Sequence, residues 1–245
     1  MRLYDVPFSF PKAANHAKLF GVMSFTQSKS PSPERAKVAA HELASQLAAR
    51  LCHDFMSPTS AMVSGLDLLD DPTAKDMRDD AMDLIANSAR KLVDLLSFSR
   101  VAFGSAAGAE AFDTNELGGL ARGIYAHVRA ELDWAIEPQS IAKPAARIVL
   151  NLAQLAAGAL PLGGVARLEL KRDRGLMRLG VAARGPKARL HAEVAQGLAG
   201  EPLSEGLGGR WVQAYYLWSL TTGAGGRIEA RPAEGAVDFI AKLPA

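Results

Sequence analysis

The sequence predicts an α + α/β protein: a helical hairpin that forms a dimeric four-helix bundle, followed by a two-layer α/β sandwich. Three observations carry the prediction. Apolar residues recur at steps of three and four from Leu43 to Phe103, with one break at Asp70, Asp71 and Pro72. Beyond a Gly/Ala-rich link the pattern mixes helical periodicity with strand alternation. The 245 residues are 49% hydrophobic and 22% charged, enough to build cores in both parts. The single cysteine, Cys52, allows no internal disulfide, and no apolar run reaches the ~20 residues of a membrane span. These features predict a cytoplasmic protein that neither crosses a membrane nor carries a structural zinc site, and the five histidines are too scattered for a local metal cluster.

Residues 1–37 hold four prolines, little apolar periodicity and a Ser/Pro/Lys stretch, and are expected to be a disordered basic leader. Their acid-poor start is read either as similar to a transit peptide or as an extension ahead of a later start such as Met23. They carry six basic residues against two acidic ones, whereas the rest of the chain has 22 against 24. The overall charge of +2 therefore comes from the leader, and the folded body offers no electrostatic footprint for nucleic acid.

Residues 38–105 form the predicted hairpin. Leu43, Leu47, Leu51, Phe55, Pro58, Met62, Leu66 and Leu69 line one face of a helix some 50 Å long. After the Asp-Asp-Pro break, Met77, Ala81, Leu84, Ile85, Leu92, Leu95, Leu96 and Phe103 line the second. No third or fourth helix is at hand to cover so broad a stripe, which predicts the homodimer. The segment 104–109 reads as a linker to residues 110–245. There, helices are expected at 113–131, 143–160, 189–199 and 209–222, and extended segments at 133–137, 165–171, 176–183, 227–232 and 236–243.

At 100° per residue His53 falls about 200° from Leu51, on the solvent side of the first helix, among Gln46, Arg50, Ser57, Ser60 and Ser64. Five residues on, Pro58 removes a helical amide, a cost of ~3 kcal/mol that needs a compensating reason. His53, the adjacent Asp54 and Pro58 together resemble the H box of sensor histidine kinases, in which the histidine carries a phosphoryl group. An exposed neutral imidazole is a good nucleophile at cellular pH, and Asp54 is the candidate to hold or deprotonate it. Alone, the histidine would read as an ordinary solvated residue; the two-residue context favours the functional reading.

Residues 110–245 resemble the ATPase lobe of the same kinases, a GHKL or Bergerat-type sandwich, with its nucleotide residues replaced. Asn151 matches the first asparagine of the N box, but Leu155 stands where the second would hold Mg²⁺. Ala183 replaces the acid that reads adenine, and Lys187 replaces a glycine two places after Gly185. The stretch Gly206 to Gly209 and the pair Gly225, Gly226 echo later glycine motifs. An apolar side chain cannot ligate a hard cation, so neither a nucleotide cofactor nor a bound metal is expected.

The stretches around His53, Val63–Leu69, Asp76–Met82 and Glu201–Gly209 resemble the ChpT family of bacterial histidine phosphotransferases, over about residues 38–245. The resemblance implies a phosphorelay enzyme of two-component signalling that is not an autokinase. In it, His53 takes phosphate from the receiver domain of a hybrid kinase of the CckA type. It then passes the phosphate to response regulators of the CtrA and CpdR types that control the cell cycle, with Mg²⁺ supplied by the receiver. Met56 and Ala49 are expected to meet the receiver, with the second domain as a flank. Two other readings stand beside this one: an ATP-dependent histidine kinase with an atypical nucleotide site, and a non-catalytic dimeric adaptor. Trp211, Tyr215 and Trp218 are expected to pack in a core rather than stack bases, Cys52 to be a small packing residue, and His127 and His191 to have no partner.

Overall fold

The computed structural model describes residues 38–104, 109–203 and 208–244. The leader, most of the linker and Gly206 of the glycine motif lie outside the described residues. Helix α1 spans Ala40–Asp70 and α2 spans Arg78–Ala102. The first stops where expected: Asp71 is extended, as a residue before proline prefers, and its carboxylate accepts hydrogen bonds from the Thr73 amide (2.8 Å) and hydroxyl (2.6 Å). A 3₁₀ turn, Lys75–Met77, then leads into α2. The two helices pack closely at Gly65, where an added Cβ would lie 2.6 Å from Ile85 Cγ1 and 3.1 Å from the Ala81 carbonyl.

The α1–α2 contact is narrower than the apolar stripe that predicted it. Leu66, Met77, Leu84 and Leu96 remain exposed, with Val63, Met82 and Val93 beside them. Among the described residues, no helix is long and apolar enough to cross a membrane.

The sandwich contains α3 (Thr114–Tyr125), α4 (Lys143–Ala159), α5 (Ala192–Leu198) and α6 (Gly208–Gly223). Its sheet joins β2 (Ala130–Ala135), β4 (Gly164–Asp173), β5 (Leu176–Arg184), β6 (Arg227–Ala233) and β7 (Ala236–Pro244) in the order β2-β4-β5-β7-β6. Only the β2–β4 pair is parallel. Alternation along the strands divides the sheet. Ala166, Leu168, Leu179, Val181 and Phe239 are buried against the helices. On the open face Arg167 pairs with Asp133 (2.5 Å) and Glu169 (3.0 Å), and Arg184 with Asp238 (2.6 Å). This is the two-layer sandwich expected of a kinase-like lobe.

Several local expectations change. The helix predicted over 113–131 ends at Tyr125, because residues from Ala130 onward pair with the strand that starts at Gly164, and the extended segment is 130–135 rather than 133–137. A short antiparallel pair, β1 (Ala111–Asp113) with β3 (Ser140–Ala142), has no counterpart in the prediction. The expected helix at 189–199 shortens to Ala192–Leu198.

Hairpin and sandwich fall in one compact unit. Against α1, Trp211, Val212 and Tyr215 of α6 form a buried cluster with Val38, Leu43, Leu47 and Trp218, and the Val38 amide donates to Tyr215 Oη (3.0 Å). Against the end of α2, Asn151, fully buried on α4, donates from Nδ2 to the carbonyls of Ala102 (3.2 Å) and Arg147 (2.9 Å), and its Oδ1 accepts from Gln213 Nε2 (3.3 Å). Arg147 also donates to the Gly104 carbonyl. The N-box asparagine thus fastens α2 to α4. Asn151→Leu is expected to destabilise the fold by about 2 kcal/mol in urea unfolding, since buried polar partners lose their mates.

Candidate functional site

The pitch of α1 turns Pro58 into the hairpin, where it is buried, and turns His53 outward, where its side chain is 88% exposed. The imidazole does not stand alone. Its Nδ1 lies 3.5 Å from Asp54 Oδ1, and the other oxygen of Asp54 lies 3.4 Å from Arg50 Nε, one turn earlier. Arg50 also donates to the carbonyl of Gly209, in the first turn of α6. Burial pushes the Arg50 guanidinium down from its ordinary value, opposed by the Asp54 charge, and an arginine stays protonated regardless. A chain of polar contacts therefore runs from α6 through Arg50 and Asp54 to the ring. The 100° offset between His53 and Asp54 is bridged by side-chain reach alone.

Two clefts flank the histidine. One, of about 570 Å³, is lined by Gln46, Ala49, Arg50, Asp54 and the first turn of α6. The other, of about 410 Å³, is lined by Ser57, Lys91, Leu95, His127 and Gln154. The structure thus brings Gln46, Arg50 and Ser57 to the ring, whereas Ser60 and Ser64 stay exposed farther along α1 and line neither cleft. Met56 is exposed beside the site. Cys52 is exposed as well and is not the packing residue expected.

Sequence reasoning missed one pair. His127 Nε2 lies 2.7 Å from Asp94 Oδ2 in the second cleft, so the carboxylate fixes the proton on Nε2. Gly123 leaves room for this, since a Cβ there would sit 3.1 Å from Asp94 Oδ1. His127, expected to have no partner, finds one in Asp94 of α2.

The positions matched to the nucleotide motifs serve packing. Leu155 and Ala183 are buried among apolar neighbours. Gly185 is required by its backbone surroundings, because a Cβ would lie 2.4 Å from the Gly163 carbonyl. Among the described residues, no group of three His, Cys, Asp or Glu side chains could hold a metal.

Residues 114–236 match the family described as "Histidine phosphotransferase C-terminal domain". The chain is 30% identical over 192 residues to "Protein phosphotransferase ChpT" of Brucella abortus (strain 2308), a match covering 78% of this chain and 90% of that one. A solved bacterial phosphotransferase superposes with a TM-score of 0.76 at 28% identity, covering 84% of this chain and 98% of the other. The chain belongs to the ChpT family of histidine phosphotransferases and is a phosphotransferase of two-component phosphorelays.

Proposed function

We propose that His53 is the residue that carries the phosphoryl group, and that it does so without ATP. The carrying observation is its exposure on a ridge between two clefts, with one ring nitrogen turned to a carboxylate. Asp54 accepts the Nδ1 proton and leaves the lone pair on Nε2. That nitrogen attacks the phosphorus of a receiver's aspartyl phosphate as the bond to the aspartate oxygen breaks and the carboxylate departs. The reverse sequence delivers the group to a second receiver. The receiver brings Mg²⁺ to offset the charge of the transferring group.

The exposed apolar residues of the hairpin support a dimer. Val63 and Leu66 on α1, with Met82, Val93 and Leu96 on one side of α2, are each about half exposed. A second hairpin closing a four-helix bundle would cover them. The family resemblance adds the cytoplasm as the location, and a hybrid kinase of the CckA type and regulators of the CtrA and CpdR types as partners in cell-cycle control.

Mixing the protein with a phosphorylated receiver is expected to move label onto it as acid-labile, base-stable phosphate. Label transfer from Mg-ATP instead would overturn the ATP-free relay. Asp54→Asn is expected to slow transfer by about a hundredfold in rapid-mixing assays while receiver affinity stays unchanged, because the ring loses its proton acceptor.

A further inference from the structure

The open face of the sheet holds a trough of about 270 Å³, and part of its floor is a strand glycine that the fold does not require. Gly180 sits in the middle of β5. Its register is unbroken to Glu169 of β4 on one side and to Ile240 of β7 on the other, so it marks no bulge. Its φ is not positive, and an added Cβ would meet nothing within 4 Å. Glycine weakens the interior of a strand, and where no bulge or bend calls for it the bare backbone leaves room for another group to lie close. Ala182 and Ile240 keep the rest of the floor apolar.

The rim is charged and out of balance. Lys171, Arg178, Lys242 and Arg227 stand directly opposite one another across β4, β5, β7 and β6. Lys171 and Arg178 line the trough, and Lys242 and Arg227 continue the row beyond it. At ~4.8 Å between strands the row is roughly 14 Å long, and like charges in opposed positions repel. Glu169 answers Lys171 (2.9 Å), but among the described residues Arg178, Arg227 and Lys242 make no ion pair. The carboxylates of the trough are already engaged, Glu169 also by Arg167 and Asp238 by Arg184. The cationic row is narrow. Two positions along the same face, about 7 Å away, Glu169 and Glu229 take the places of Lys171 and Arg227. A membrane surface or a nucleic-acid duplex would press on those carboxylates as well as on the cations, whereas a single acidic chain fits the row alone.

We propose that this face docks an acidic segment of a partner protein, with one large apolar side chain over Gly180 and flanking carboxylates on Arg178, Lys242 and Arg227. The trough shares no residue with either cleft beside His53, so the segment and a visiting receiver occupy separate surfaces.

Fluorescence polarisation of the full chain with a labelled peptide of glutamates around one central phenylalanine, in about 0.05 M NaCl, tests the proposal. The expected result is saturable binding with a Kd of about 0.1 mM. R178Q/K242Q, or glycine in place of the phenylalanine, is expected to weaken it at least about tenfold, and about 0.3 M NaCl at least about fivefold. G180V is expected to weaken binding as much without lowering the melting temperature, because valine suits a strand and meets open space there. A glycine needed only for folding would give the reverse, a lower melting temperature with binding intact. No saturable binding, parental affinity in either variant, insensitivity to salt, or a lower melting temperature in G180V would each overturn the assignment. So would tighter binding of phosphatidylglycerol vesicles or of oligothymidylate than of the peptide, or a self-association of the parent that R178Q/K242Q abolishes.

Discussion

Replacing His53 with glutamine is expected to give a folded protein that neither takes label from a phosphorylated receiver nor passes it on. The side chain is nearly free of contacts, so stability should move by no more than about 0.5 kcal/mol. Glutamine keeps a polar group near the same place but offers an amide nitrogen with no available lone pair. Transfer should therefore fall at least about a thousandfold, to the level of spontaneous hydrolysis, as when a covalent nucleophile is removed. Size-exclusion chromatography with light scattering checks that the variant keeps the oligomeric state of the parent. A variant that still accepted label would move the phosphoryl site elsewhere, and a relay unaffected in rate would favour a passive adaptor.

Trp211→Ala is expected to have the largest effect on stability. The indole is 1% exposed, stacks on Tyr215 with ring centroids 4.9 Å apart, and donates from Nε1 to the Glu201 carbonyl (2.8 Å). Truncation leaves a cavity and removes the indole hydrogen bond, a loss of about 3–5 kcal/mol measurable by urea unfolding. The consequence reaches the site, because the same cluster seats Leu43 and Leu47 of α1 against α6. With that seat loosened, Gly209 no longer holds Arg50 in place, and transfer from a receiver should slow while His53 itself is untouched. An unfolding midpoint equal to that of the parent would show that the cluster does not couple the two elements.

Helical geometry made part of this legible from sequence. A fixed 100° step was enough to put Pro58 inside and His53 outside, and Pro72 was enough to end α1, because both follow from local backbone rules. The pairs that complete the site are not local. Arg50 meets Gly209 across 159 residues, and His127 meets Asp94 across 33, with no spacing to announce either. The end of α3 was misplaced for the same reason, since partnership with β4 decides where β2 begins. Asn151 resembles a motif residue in sequence, but its bonds to Ala102 and Arg147 can be read only from the fold.

The hairpin and the sandwich are joined through both helices, by Val38 and Tyr215 ahead of α1 and by Ala102 and Asn151 at the end of α2. Contacts to both helices oppose a swing of the lobe toward the imidazole. For a relay of the kind proposed, every visiting receiver then meets the same rigid berth, and loading and unloading are one encounter run in opposite senses. Net traffic is set by which visitor arrives more heavily charged, so the direction of signalling belongs to the supply of partners and not to this protein.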